Sequence, residues 1–254
     1  MKYPNKILLT FHLNISFLYL ISCASLKESQ FKSNPEFAAQ ANKFSIACPI
    51  PKLSSKSHHY TFENEQTNTI YKSNVTIHFP GSQSIDSDDL SKGEILNSKE
   101  FAGYRLYISN SIDSSEFEVL GTTDLSRTTE KHSKSLSEET VILHYPIEFW
   151  IFQNGKDVGM VKIHTPLSTQ IMNFILHERH FELEVQKQFN KSYFSIKTEN
   201  QLIALVELQP KAFISTKLKG KAFIQSESSG DVTPDILTIF IIADMISNII
   251  DEMM

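Results

Sequence analysis

Cysteine, arginine, tryptophan and glycine are all scarce in this chain of 254 residues. Two cysteines, Cys23 and Cys48, cannot supply a disulfide framework or a four-cysteine zinc site. The three arginines, Arg105, Arg127 and Arg179, are scattered, and the net charge is −5, so no basic stripe points to nucleic acid. Eight thinly spread glycines provide neither a phosphate-cradling loop nor a dinucleotide fingerprint. Gly81-Ser82-Gln83-Ser84 lacks the second glycine of a nucleophile elbow. An unbroken apolar run of about 20 residues, the length a spanning helix wants, is also missing. What is present is ordinary for a globular protein: 41% hydrophobic and 21% charged residues, which argues against wholesale disorder.

The N-terminus has a different character. Lys2 and Lys6 precede a mostly apolar stretch, Ile7 to Ile21, interrupted by Thr10, His12, Asn14 and Ser16. Charge, apolar core and a small residue before Cys23 follow the order of a secretory signal, too short and polar for a permanent span. Leu20-Ile21-Ser22-Cys23 resembles the lipobox of bacterial lipoproteins. That resemblance implies cleavage before Cys23, lipid on its sulfur, and a mature chain anchored at a membrane face of the cell envelope. Loss of Lys2 and Lys6 takes the charge from −5 to −7. Cys48 then has no partner in the chain and reads as a small buried hydrophobe; a Cys23–Cys48 disulfide is the alternative.

Residues 24 to 56 are rich in Ser, Lys, Asn and Ala and read as a tether, with Glu36 to Phe44 able to form a short helix. From Tyr60 onwards the pattern becomes that of strands. Thr69–Phe79 is β-branched and aromatic, and Tyr104–Ile108 and Glu116–Leu120 alternate apolar and polar residues. Ser82–Lys99 and Thr122–Thr140 are polar and are expected as loops. Glu148–Phe152 and Val158–His164 flank Asn154-Gly155, the signature of a type I′ hairpin turn. Met172–His177, His180–Gln186, Ser192–Lys197, Leu202–Leu208, Ala212–Lys217 and Lys221–Gln225 are further strand candidates. At least nine strands predict an antiparallel β barrel or sandwich.

The end of the chain is helical in pattern. Thr233-Pro234 offers a helix start, and Asp235 to Met253 reads as one helix, apolar nearly all round from Ile236 to Ala243. Asp244 near its centre would cost about 2.5–3.5 kcal/mol in a bilayer, so burial inside protein, with strands wrapping the helix, is expected. Asp244, Ser247, Asn248 and Asp251 share one face.

Phe149-Trp150-Ile151-Phe152, Asn154-Gly155-Lys156 and Val158-Gly159-Met160-Val161, followed by the terminal apolar helix, resemble the tubby C-terminal and phospholipid-scramblase superfamily. The resemblance spans Tyr145 to the end. It implies a closed barrel around a central hydrophobic helix, and association with membranes and lipids. The residues carry no basic cluster for phosphoinositides. Asp86, Asp88 and Asp89 form an acidic loop without the glycine and distal glutamate of an EF-hand.

Histidine clusters point away from metals. In His177-Glu178-Arg179-His180 the spacing is three, where a zinc-protease helix needs four, and strand-like flanks make it a hairpin turn. His58-His59 is adjacent at the end of the tether, where exposure is expected; His144 and His164 flank the strong hairpin without a third ligand. Glu63 with Glu65, and Glu182 with Glu184, read as solvated strand faces.

The expected organisation is a signal over residues 1–22, a tether over 23–56, and a barrel-like domain over 57–254 ending in the 235–253 helix. The expected role is a non-enzymatic lipid- or protein-binding or structural module at the bacterial envelope, held through Cys23, with no cofactor, no metal, no catalytic residue and no nucleic acid partner. A scramblase-like lipid handler and an envelope hydrolase with dispersed catalytic residues are the alternatives.

Overall fold

A computed structural model describes residues 35–49, 57–78, 82–86, 95–111, 114–131, 137–144, 146–164, 169–188, 191–210, 217–225 and 233–253. The signal and Cys23, most of the tether, Asp88, Asp89 and residues 212–216 lie outside these. The chain divides at Ala41, and the element described before that point is α1 (Pro35–Gln40).

Among the described residues fourteen strands follow: β1 (Asn42–Pro49), β2 (Ser57–Asn64), β3 (Ile70–His78), β4 (Ser82–Asp86), β5 (Ile95–Asn110), β6 (Glu116–Lys131) and β7 (Ser137–Leu143) make the first half. The second half is β8 (Ile147–Gln153), β9 (Lys156–Ile163), β10 (Thr169–Leu176), β11 (Arg179–Gln188), β12 (Lys191–Thr198), β13 (Gln201–Pro210) and β14 (Lys217–Ile224), ending in α2 (Thr233–Met253). All pairings are antiparallel, and β8 to β14 run as a meander of sequence neighbours. β1 pairs with both β14 and β2, and β5 pairs with β6, so twelve strands close into a barrel. Closure leaves those strands without the unpaired edges of an open sheet. β4 and β7 stand outside the ring. They extend the far halves of β5 and β6, beyond Ala102 and Leu125, into a four-stranded flap.

Three expectations are corrected here. The barrel begins at Asn42, inside the segment read as tether, because Phe44, Ile46 and Cys48 alternate inward along β1. The polar stretches Ser82–Lys99 and Thr122–Thr140 contain β4, the start of β5, the end of β6 and β7 rather than loops alone. These strands pair within the flap, where no barrel core demands alternating apolar residues. β14 is one strand from Lys217 to Ile224, where a break before Lys221 was expected.

Turn chemistry follows the sequence closely. Asn154-Gly155, His177-Glu178 and Glu199-Asn200 each hold two consecutive residues at positive φ, as two-residue type I′ hairpins require. Gly159 answers a closer constraint. A Cβ there would lie 1.8 Å from the carbonyl oxygen of Ile175 on β10, beside the register shift at Ile151/Phe152. Gly159→Ala must therefore push β9 from β10, and we expect a loss of about 1–3 kcal/mol in urea unfolding. An unchanged midpoint would mean that the two strands do not approach this closely.

Helix α2 fills the barrel. Every residue from Ile236 to Ser247 is buried, around the full circumference, as are Ile249 and Ile250. Its neighbours come from opposite walls: Tyr60 and Phe62 of β2, Asn110 of β5, Gln170 of β10 and Phe194 of β12. Thr233–Asp251 is long and apolar enough to cross a bilayer, but 83% of it is buried inside the protein. It is the core of a closed barrel.

Candidate functional site

The barrel interior is occupied by the helix rather than open to a ligand. Beside its first turn, next to Tyr71, Asn110 and Thr238, the free space is about 30 Å³, room for water and not for an acyl chain. Polar groups of α2 are met by the wall or within the helix. Tyr60 Oη donates to Asp244 Oδ2 at 2.8 Å, and Asn248 Nδ2 donates to Asp244 Oδ1 at 3.2 Å. Ser247 Oγ donates to Gln170 Oε1 at 2.8 Å, while Lys187 of β11 binds both the Ser247 carbonyl and the Asp251 carboxylate.

Burial raises the Asp244 carboxyl from its ordinary 3.8 to about 6, against the opposing pull of Tyr60, Lys187 and Asn248. Burial, and then the charge of Asp244, also hold Tyr60 and Cys48 protonated well above their usual range. Cys48 is a free, buried thiol on β1, an inert core residue rather than a nucleophile.

Among the described residues, a histidine–carboxylate contact stands at the rim. His177 Nδ1 lies 3.3 Å from Asp235 Oδ1, in the first turn of α2, and His177 Nε2 lies 2.9 Å from Gln153 Oε1. In a hydrolase triad the second ring nitrogen faces a nucleophilic hydroxyl. Here it meets a side-chain amide oxygen, so the group latches the hairpin turns to the helix start.

The other histidines do not converge. His58 is buried and His59 exposed, bonded to Asn74 at 2.6 Å; the strand alternation of β2 turns His58 inward where exposure was expected. His144 Nε2 meets Ser126 Oγ at 2.8 Å rather than His164. Among the described residues no group of three His, Cys, Asp or Glu side chains is placed to hold a metal. Glu182 reaches Lys197 at 3.4 Å, Glu184 bonds Gln186, and Glu65 falls in a turn beyond β2, so neither carboxylate pair forms a dyad.

Grooves lie on the outer wall. One, of about 600 Å³, runs over β1, β13 and β14 and gathers Lys191, Lys219 and Lys221 with Glu63 and Glu207. Lys191 pairs with Glu207 at 2.9 Å. The sequence carried a sign of this cluster in the alternation Lys217, Lys219, Lys221, although acidic neighbours dilute its charge.

The larger groove, about 870 Å³, crosses β3, β5, β6 and β8. It is lined by His78, Arg105, Tyr107, Leu120 and Trp150, with Gly103 leaving space between Arg105 and Thr122. Its size is that of a small-molecule site, and its composition, exposed Trp, Tyr and Arg, is that of binding hot spots. Arg105 lies 5.6 Å above the Tyr107 ring, and its Nε pairs with Glu118 at 2.7 Å. His78 packs edge-on against the same ring at 5.5 Å. Tyr107 and Trp150 are 38% and 44% exposed, a large apolar area to leave open on a barrel whose interior is sealed.

No family model, no curated protein and no solved structure matches the chain.

Proposed function

We propose that the protein is a lipid-anchored, non-enzymatic binding module of the bacterial cell envelope, and that it binds lipid on the outside of its barrel. The observation that carries this reading is the occupied lumen: a barrel filled by its own helix leaves the outer wall as the ligand-binding surface, and the groove of about 870 Å³ there presents Trp150, Tyr107, Leu120 and Arg105. A twelve-stranded barrel around a terminal apolar helix supports the likeness to the tubby and scramblase superfamily and the lipid association it implies. The filled lumen weighs against a scramblase-like passage of acyl chains through the barrel, and the rim contacts of His177 weigh against a hydrolase.

Anchoring rests on Cys23. Two acyl chains suffice for stable attachment, each buried methylene contributing about 0.8 kcal/mol. In bacteria fed labelled palmitate, the full chain is expected to take up label that survives denaturation and to stay with membranes through a high-salt wash. Cys23→Ala should lose both. Label or membrane retention persisting in that variant would remove the anchor from the proposal.

A further inference from the structure

The strand register places an apolar line across the outer wall. Leu120 of β6 pairs with Trp150 of β8, Trp150 with Met160 of β9, and Met160 with Ile175 of β10. All four side chains face outward and are exposed or half-buried, because their strand neighbours Val119, Phe149, Val161 and Phe174 point into the core. Two residues along the same strands the same face is polar: Thr122, Glu148, Lys162, Asn173 and Glu182 pair in register, with Lys162–Glu148 at 2.6 Å. On the other side Glu118 of β6 pairs with the half-buried, outward-facing Phe152 of β8. The apolar surface is thus four strands long, about 14 Å at about 4.8 Å per strand, and one side chain wide except at β8, where Phe152 stands beside Trp150.

That shape selects among occupants. A bilayer or a partner's helix needs a broad apolar face and would press the flanking Glu and Lys side chains into it, unpaired or desolvated. A single alkyl chain fits between the Glu148–Lys162 row and Glu118. The line also has polarity. At the β5 end it meets Arg105, which pairs in register with both Leu120 and His78, inside the 870 Å³ groove. At the β10 end Met160 and Ile175 border a recess of about 370 Å³ that includes His180. With its Nε held by Glu118, Arg105 retains terminal N–H groups for an anion, and guanidinium suits a carboxylate.

We propose that this line binds one single-chain amphiphile, a long-chain carboxylate, with its head at Arg105 and its chain over Leu120, Trp150, Met160 and Ile175. The assignment rests on the reading of the barrel as a lipid binder with an exterior site, and it names the ligand class and its direction.

Trp150 is the one tryptophan in the chain, so its emission reports on this site alone. The full-length protein is titrated with palmitate and with stearate brominated at mid-chain, each below its micelle threshold. Saturable quenching by the brominated chain at one equivalent, with a blue shift on palmitate, is expected. Arg105→Gln should weaken palmitate at least tenfold while leaving a neutral monoacylglycerol of equal chain length unchanged. Ile175→Lys, a substitution on the open wall, should weaken a sixteen-carbon chain at least tenfold and spare an eight-carbon one. Quenching that is absent, that never saturates, or that survives both substitutions overturns the site. Quenching seen only with vesicles of brominated phospholipid also overturns it, and would instead put this wall against a bilayer, leaving the broader lipid-binding reading intact. Failure of the Cys23 labelling test would remove the anchor without touching this titration.

Discussion

Phe240→Ala is expected to lower the unfolding free energy by about 3–5 kcal/mol, the largest loss from any single apolar side chain of the helix. Phe240 sits where two arcs of the barrel wall meet α2. The rings of Tyr60, Phe62 and Phe194 lie 6.4, 5.9 and 5.0 Å from it, each close to perpendicular, the edge-to-face arrangement that aromatic rings prefer. Two of those rings belong to β2 and one to β12, on separate arcs of the ring of strands, so neither can close on the cavity without moving its sheet. Poor relaxation puts the cost at the high end for a Phe→Ala change. Urea denaturation followed by circular dichroism measures it, with Ile171→Ala, on the outer face and 38% exposed, as the comparison. If the two substitutions cost the same, Phe240 is not enclosed, and a helix running through the barrel is the wrong architecture.

The enclosed helix was legible because two independent features of the sequence agree. Apolar residues all round from Ile236 to Ala243 demand burial on every side, and Asp244 at mid-helix makes hydrocarbon costly. What the sequence could not supply was the partner. Tyr60 lies 184 positions from Asp244, and only closure of the barrel through β1 and β14 brings β2 to the helix.

Legibility failed where strands lack a core to face. β8 to β12 read as strands because their inner faces carry Phe149, Ile151, Val161, Phe174, Leu183 and Ile196. The flap has no such wall on which to alternate, so polar sequence there resembled loops. β1 failed differently. Phe44, Ile46 and Cys48 do alternate, but a lone strand of this length beside a Ser- and Ala-rich segment gives too little periodicity to separate it from a tether.

The outer line was invisible for a third reason. Arg105, Leu120, Trp150, Met160 and Ile175 sit on five strands, and no spacing in the sequence links them. Register creates the site. Each residue taken singly is an unremarked exposed position on an amphipathic strand, and an isolated exposed apolar residue carries no information.

Stability should fall by about 3 kcal/mol as pH rises from about 4 to 6 through Asp244 alone. The folded chain raises this carboxyl from 3.8 to about 6, chiefly by burial, so folding favours its neutral form. A group raised in the folded state contributes its full stability below the unfolded value and loses it as pH climbs through the folded one; at 1.36 kcal/mol per tenfold change, that is the size of the loss. The groups facing Asp244 are Tyr60 on β2, Asn248 and Asp251 on α2, and Lys187 on β11; Cys48 on β1 lies close enough to feel its charge. Tyr60 and Cys48 stay protonated across the range, which leaves Asp244 as the buried member that titrates there. Asp244→Asn keeps the side chain neutral at every pH, and its amide oxygen can still accept from Tyr60. One hydrogen bond is lost, because Asn248 Nδ2 then faces another donor, at a cost of about 1 kcal/mol. The variant should therefore be less stable than the parent at pH 4 and more stable at pH 7.5, with the two stability curves crossing between. Taking the difference between the two proteins removes every contribution that the substitution leaves unchanged. Parallel curves from pH 4 to 8 would show that Asp244 is solvated and carries no burial penalty, and that the centre of the helix is open to water.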